Sequence, residues 1–265
     1  MPLCRTIKAF TALYIFYTLV IMTSKTLLFF LFTINCFAKC TPQQKVKAPI
    51  PQADSLYSYK NPSADGIGKF YLGREISQVM GAGGSGWLER PDRNQEENTD
   101  LTIEKISLPP NAVIADIGAG SGYYAFKLVA KVPRGKVYAV EIQDELISLL
   151  QNKKIALKDS VVEVIKGSSL SPNLPDNSID LAVLVDVYHE LEFPHEMLRA
   201  IRRSLKKDGK ILLIEYRGED PSVPIKALHK TTIAQLSREM AASGFQLHYK
   251  GSFLPIQHFL LYQKK

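Results

Sequence analysis

At 265 residues the chain has room for one domain of ordinary size plus extensions. Its formal charge of +7 is unevenly placed: seven of 33 basic residues and two of 26 acids precede Gly66, leaving 26 and 24 after it. A near-neutral domain offers no basic groove to a nucleic acid, and because Cys4, Cys36 and Cys40 all lie upstream, a disulfide framework, a cysteine nucleophile and a thiolate zinc site are excluded from it.

Residues 9–38 are mostly apolar but interrupted by Thr23, Ser24 and Lys25. Read as one membrane-spanning element, they put Lys25 near the bilayer centre, where a charge is costly. Read with Met22 as the start, they supply a short basic n-region, an apolar h-region over 26–34 and a processing site, with either Cys36 carrying lipid or cleavage after Ala38. Residues 1–40 are expected to be a signal peptide or membrane anchor. The first reading of location is an exported, lipoprotein-like protein at a membrane, and the alternative is an inner-membrane anchor with the domain in the cytoplasm. Residues 41–66, with four prolines and little apolar periodicity, read as a flexible tether.

Residues 67–80 carry apolar side chains at 72, 76, 79 and 80, a spacing that predicts a helix. With the helix expected before Pro109 they form an N-terminal helical extension over 67–109. Trp87 and Arg90 follow the glycine-rich stretch 81–86, either as a lid closing over a ligand or with Trp87 packed on the core. The domain proper is expected over 110–265. Strands are predicted at 113–117, 136–141, 161–165, 181–185 and 210–216, alternating with helices at 123–132, 144–157 and from Pro194 to a basic end at Lys206 and Lys207. Leu146, Leu149, Leu150 and Ile155 make the apolar side of the second of these. Thr232 with Gln235 reads as a capping box for a helix to Ser243, and two β-rich runs, 245–253 and 257–262, close the chain. Strand–helix alternation of this kind predicts an α/β fold: a Rossmann-like three-layer sandwich whose mostly parallel seven-stranded sheet ends in an antiparallel hairpin.

The first strand runs into Asp116-Ile-Gly118-Ala119-Gly120-Ser-Gly122, then Tyr123. A nicotinamide dinucleotide fingerprint would need a glycine at 123, where a pyrophosphate sits on the helix N-terminus. Tyr123 suits a ligand without phosphates. Glu141, about 20 residues on, stands where an acid accepts ribose hydroxyls.

This motif resembles the first motif of the class I S-adenosylmethionine-dependent methyltransferases, and the likeness extends over roughly residues 110–263. Residues 174–180 resemble the segment before the fourth strand in the ubiquinone/menaquinone-biosynthesis type. Residues 87–93, 215–217 and 224–226 are similar to features of a bacterial group that often carries leaders. The resemblance implies S-adenosylmethionine as cofactor. Gly118, Ala119, Gly120 and Gly122 would wrap its methionine part, Asp116 would position that turn, Glu141 would hold the ribose and Ile142 would flank the adenine. Ser168 and Ser169 stand where the family often has an adenine-binding acid. Asp186 joins the cofactor set at the end of the fourth strand.

Ligands in such sheets lie beyond the carboxyl ends of the strands. On the acceptor side that places Asp186, Tyr188, His189 and Glu190, followed by Tyr216, Arg217 and Glu219. His189 is the candidate base because an unperturbed imidazole titrates near neutrality, with Tyr188 as the second catalytic candidate. Arg217, Lys226 and Lys230 could bind an anionic acceptor or form a solvated loop face. The five histidines, at 189, 195, 229, 248 and 258, show no recognised metal-ligand spacing, so no metal is expected. The expected function is methyl transfer to O or C of a small-molecule or lipid-like acceptor, the alternative being a membrane-anchored, non-catalytic module that binds S-adenosylmethionine or S-adenosylhomocysteine. Oligomeric state is left open.

Overall fold

Leu72 and Gly73 both hold positive φ, 47° and 91°, and so make the tight reversal of a β-hairpin. Strands β2 (Gly66–Tyr71) and β3 (Arg74–Ser77) flank it, and β1 (Tyr57–Tyr59) pairs antiparallel with β2. The helix expected over 67–80 is therefore replaced by strands, which also take up the last part of the expected tether. Three glycines and an aromatic-rich run disfavour a helix interior here. At Gly68 (φ 71°) a Cβ would stand 2.5 Å from the Lys60 carbonyl oxygen. The computed structural model describes residues 56–265. The leader over 1–40, with Met22, Cys36 and Ala38, lies outside the described residues. No helix among the described residues is long and apolar enough to cross a membrane.

Three short helices follow: α1 (Ser85–Leu88), α2 (Arg93–Glu97) and α3 (Thr99–Lys105). Then the alternation begins: β4 (Val113–Ile117), α4 (Tyr123–Leu128), β5 (Lys136–Glu141), α5 (Asp144–Leu157), β6 (Val162–Lys166), β7 (Ile179–Val185), α6 (Pro194–Ser204) and β8 (Leu205–Arg217). After the two-residue β9 (Lys230–Thr231) come α7 (Ile233–Ala242), β10 (Phe245–Gly251) and β11 (Gln257–Lys264). The sheet order is β6-β5-β4-β7-β8-β11-β10, with β9 attached to β8. The pairs from β6 to β8 are parallel, while β11 runs antiparallel to both β8 and β10. This is the expected Rossmann-like sheet of seven strands with its C-terminal hairpin, plus β9.

Both faces of the sheet are covered, so its strands are apolar on both sides. On β4, Ala115 and Ile117 pack with Leu198, Ile201, Leu236 and Met240 of α6 and α7. Ile114 points the other way, to Leu128 of α4 and Leu150 of α5. Two helix readings change. On α5 only Leu146 and Leu150 are buried, while Leu149 and Ile155 are exposed, because the helix lies over the margin strands β5 and β6 and needs only a narrow stripe. Helix α6 stops at Ser204 rather than at Gly209, since Leu205 turns extended to pair with Ile179. Its basic last turn is Arg202 and Arg203, while Lys206 and Lys207 begin β8. Thr232 caps α7 as expected, its side chain accepting from Gln235 N.

From β4 the chain moves outward to β5 and β6, then returns to lay β7 on the other side of β4. Connections diverge at the β4/β7 boundary and open a crevice beyond the carboxyl ends of those strands. The N-terminal hairpin is fastened beside it. Arg74 makes two hydrogen bonds to the fully buried Glu239 of α7, at 2.9 and 2.8 Å, and Tyr188 donates to the same carboxylate at 2.8 Å. Arg74→Ala leaves a buried carboxylate unpaired and is expected to destabilise the fold by about 3–5 kcal/mol, measured by urea unfolding. Glu239→Gln in the same chain should recover part of that loss.

Candidate active site

The turn after β4 works only with glycine. Gly118, Gly120 and Gly122 hold φ of 72°, 55° and 80°, where a Cβ is strained. A Cβ on Gly118 would also stand 2.4 Å from Val187 Cγ2, and one on Gly120 2.7 Å from Leu88 Cδ1. Glu141, at the end of β5, ties the turn down. Its Oε2 accepts from Gly120 N at 3.0 Å, and its Oε1 accepts from Ile142 N at 2.7 Å and Gln143 N at 3.0 Å. The carboxylate is buried and fully engaged with backbone, and Oε2, taking a single N–H, keeps acceptor capacity.

Asp116 lies behind the turn, buried, with Oδ2 lacking a partner. Burial pushes its carboxyl up to about 7, although the Ala125 N–H and the Arg93 guanidinium pull the other way. Asp186 follows β7 in the left-handed region at φ 51°. Gln257 Nε2 donates to both its oxygens, at 3.0 and 2.7 Å, and Arg93 stands 3.8 Å away. Burial first, then the neighbouring Glu97 and Glu215, hold its carboxyl well above the usual range. Glu97 of α2, fully buried, is gripped by Arg90 at 2.6 Å and Arg93 at 2.9 Å, and Tyr216 donates to it at 2.7 Å. This lattice of α2 with β7 and β8 was not visible from sequence spacing.

A cavity of roughly 530 Å3 opens here, and the expected Gly118, Gly120, Glu141, Ile142, Ser168, Ser169, Asp186 and His189 all border it. Gly122 starts α4 and packs on Phe126 and Leu150, so with Asp116 and the buried Ala119 it supports the wall from behind. Tyr188 is withdrawn from the catalytic candidates: the short turn Tyr188–Glu190 sends its ring into the core, where its hydroxyl donates a hydrogen bond to Glu239. Trp87, 38 % exposed, borders the cavity beside Leu88 instead of packing in the core, and Arg90 stacks on it at 3.9 Å. Among the loop cations, Arg217 and Lys230 bond to carbonyls of their own neighbourhood, whereas Lys226 reaches the cavity rim and is paired with Asp65 at 2.7 Å.

His189 forms the far wall. Its Nδ1 is 2.6 Å from Oε2 of the fully buried Glu215, whose Oε1 accepts from Tyr188 N and Val187 N. Its Nε2 is 3.0 Å from Nδ1 of His229, and His229 Nε2 is 3.0 Å from Asp65 Oδ2. His229 and Asp65 were missed: they are 40 and 124 positions from His189, and Asp65 sits in a stretch read as tether. The only sequence hint was the loop containing Pro224, Ile225 and Lys226, which carries His229.

Residues 115–213 match a family model described as a methyltransferase domain. An uncharacterised methyltransferase-like protein of Schizosaccharomyces pombe is 27 % identical over 126 residues, 48 % of this chain and 46 % of that protein. The ubiquinone/menaquinone biosynthesis C-methyltransferase of Ectopseudomonas mendocina is 26 % identical over 132 residues, 48 % of this chain and 50 % of that protein. The chain thus spans about half the length of these relatives. The crystal structure of a SAM-dependent methyltransferase from Aquifex aeolicus shares the fold, with a TM-score of 0.63 at 21 % identity over 69 % of this chain and 99 % of that one.

Folding raises the Asp116 pKa, so the folded chain holds that proton more tightly than the unfolded one. The stabilisation is complete below about pH 4, drains away as pH rises towards 7 and is gone above it. Asp116→Asn is therefore expected to raise the ligand-free melting temperature at pH 8 and to bring progressively less gain as pH falls to 4, a comparison that calorimetry at both pH values checks.

Proposed function

We propose that this chain, whose residues 115–213 match a methyltransferase-domain model, is a class I S-adenosylmethionine-dependent methyltransferase that transfers a methyl group to O or C of a small, largely apolar acceptor. The observation that carries this reading is a single cavity with the glycine turn at one side and a buried, carboxylate-backed histidine at the other. S-adenosylmethionine supplies a methyl group on a sulfonium, an electrophile that needs alignment more than activation. The residues present fit it. Gly118 and Gly120 present bare backbone to the cavity, with Val187 and Leu88 packed where a Cβ would stand, Glu141 Oε2 retains a lone pair for a hydroxyl, and Asp116 Oδ2 is a buried oxygen without a partner. On the cavity wall Asp65, Glu141 and Glu192 face one lysine, Lys226, while burial holds the carboxyls of Asp186 and Glu190 above the usual range; the balance still favours a cation and repels a polyanion.

For the acceptor, Val79, Met80, Trp87, Leu191 and Ile225 offer apolar wall. The polar pole is the His189–His229 pair, and this is where an acceptor hydroxyl or acidic C–H gives up its proton. Glu215 holds the His189 ring in place and keeps the proton on Nδ1, leaving Nε2 as the acceptor. The apolar wall, together with the apolar leader over residues 1–40, supports a lipid-like acceptor met at a membrane surface. Acceptors of the quinone-biosynthesis type, named for the E. mendocina relative, come first in a substrate screen.

Isothermal titration with S-adenosylmethionine and S-adenosylhomocysteine is expected to show one site, abolished by Gly120→Arg. An absence of binding to the unaltered chain overturns the proposal, and binding with no turnover across the screen would favour the non-catalytic module. Glu215→Gln is expected to lower turnover about 100-fold or more while leaving cofactor affinity unchanged, as read from S-adenosylhomocysteine release beside the same titration.

A further inference from the structure

The two histidines at the acceptor wall face each other in an unusual way. A carboxylate can only accept, so Glu215, 2.6 Å from His189 Nδ1, fixes the ring proton there and turns a bare lone pair outward on Nε2. Asp65 Oδ2 lies 3.0 Å from His229 Nε2, an ion-pair distance without hydrogen-bond alignment, so its charge favours a proton on that nitrogen without fixing it there. His189 Nε2 and His229 Nδ1 are 3.0 Å apart, with the rings steeply inclined at 72°. Glu190 brings a third acceptor, its Oε1 3.6 Å from His229 Nδ1 and 3.9 Å from His189 Nε2. Met80 N donates to that oxygen at 3.2 Å and so holds it in place. Without a cation, His229 Nδ1–H donates to His189 Nε2 across this gap; with the His229 proton on Nε2 instead, two lone pairs and a carboxylate converge on one point of a mostly buried wall.

The spacing suits a metal ion. The point equidistant from the three atoms lies about 2 Å from each, within the roughly 2.0–2.2 Å of metal–imidazole and metal–carboxylate bonds. Two imidazoles and one carboxylate form a set typical of divalent transition metals and leave coordination positions open. A carboxylate behind each ligating imidazole is the usual supporting shell, and here both are present, one from β8 and one from the segment before β2. We propose that His189, Glu190 and His229 bind a divalent transition-metal cation on the acceptor side of the cavity, with Glu215 and Asp65 as supporting carboxylates.

All three ligands border the cavity, so an open coordination position faces the space assigned to the acceptor. The role of the cation rests on the methyltransferase reading but replaces His189 as the base, because Nε2 is then a ligand: the cation would take the oxygen of an acceptor hydroxyl, lower its pKa and let the proton leave to water at the cavity mouth, so that the oxygen is anionic at neutral pH. The acceptor class narrows accordingly to molecules that present a hydroxyl or enolic oxygen next to an apolar body.

The test uses the full chain, purified without a histidine tag, treated with EDTA and dialysed. Mn2+ is added and followed by loss of the free-ion paramagnetic resonance signal, because Cys4, Cys36 and Cys40 are poor ligands for it. Zn2+ is then added in competition. One Mn2+ per chain is expected, displaced by Zn2+. Glu190→Gln and His229→Ala should each weaken binding at least tenfold, and Asp65→Asn about ten- to a hundredfold. Far-UV circular dichroism identifies any variant that fails to fold, and Asp65→Asn, at a partly exposed rim, serves if His229→Ala does. No Mn2+ binding, or binding that none of these substitutions changes, overturns the site. Titration of S-adenosylmethionine into the same samples separates the two readings: cofactor binding without metal binding removes the cation and leaves the methyltransferase, and metal binding without cofactor binding does the reverse.

Discussion

Four acids, Glu141, Asp116, Asp186 and Glu215, stand at or near the carboxyl ends of four adjacent strands, β5, β4, β7 and β8, and all are buried or nearly so. Desolvated charge of this density is tolerated only where donors or cations are built around it. Much of the local architecture follows from that requirement. Glu141 draws in the N–H groups of Gly120, Ile142 and Gln143 and so shapes the glycine turn. Glu215 collects Val187, Tyr188 and His189, which sets the loop after β7. Asp186 takes the Gln257 amide from β11 and faces Arg93 of α2. Asp116 alone keeps an unpartnered oxygen, and that oxygen lies behind the turn suited to a sulfonium cofactor.

The segment before β4 is part of the site rather than an appendage. Arg74 bonds to Glu239 and to the carbonyl of His189, and Ser77 reaches the same carbonyl. The hairpin thus braces the turn carrying His189 from behind while Val79, Met80 and Trp87 continue past it into the cavity wall. Gln143, two residues after Glu141, donates to Met80 O, and Glu190 accepts from Met80 N. One residue therefore connects the Glu141 side of the cavity with the Glu190 side through its backbone. The loop between β8 and α7 closes the remaining side and delivers His229 to His189.

The parallel sheet was legible because each of its strands is a short apolar run with a turn or helix signal on both sides. The hairpin at 66–77 was not. Its apolar residues at 72, 76, 79 and 80 imitate a helix face, and the reversal is made by Leu72-Gly73 instead of a more telling Asn-Gly pair. The residues on the glycine-turn side of the cavity were legible because the glycines, the acid at 141 and the strand ends are fixed distances apart along the chain. The opposite side was not, because His189, His229, Glu215 and Asp65 come from four separate segments. Tyr188 was misplaced for a related reason: adjacency to His189 says nothing about which way a side chain leaves a one-turn 3-10 helix.

By itself the sequence determined the class of fold and the kind of ligand at the glycine turn. Both depend on local patterns: period-two and helical hydrophobicity, glycines at positive φ, and a bulky tyrosine where a pyrophosphate would need room. Only the tertiary structure decided which polar groups meet across the cavity, because folding brings Glu215 from β8 and Asp65 from the segment before β2 to two histidines that are 40 positions apart. Composition offered five scattered histidines. Folding set a ring nitrogen of one 3.0 Å from a ring nitrogen of another.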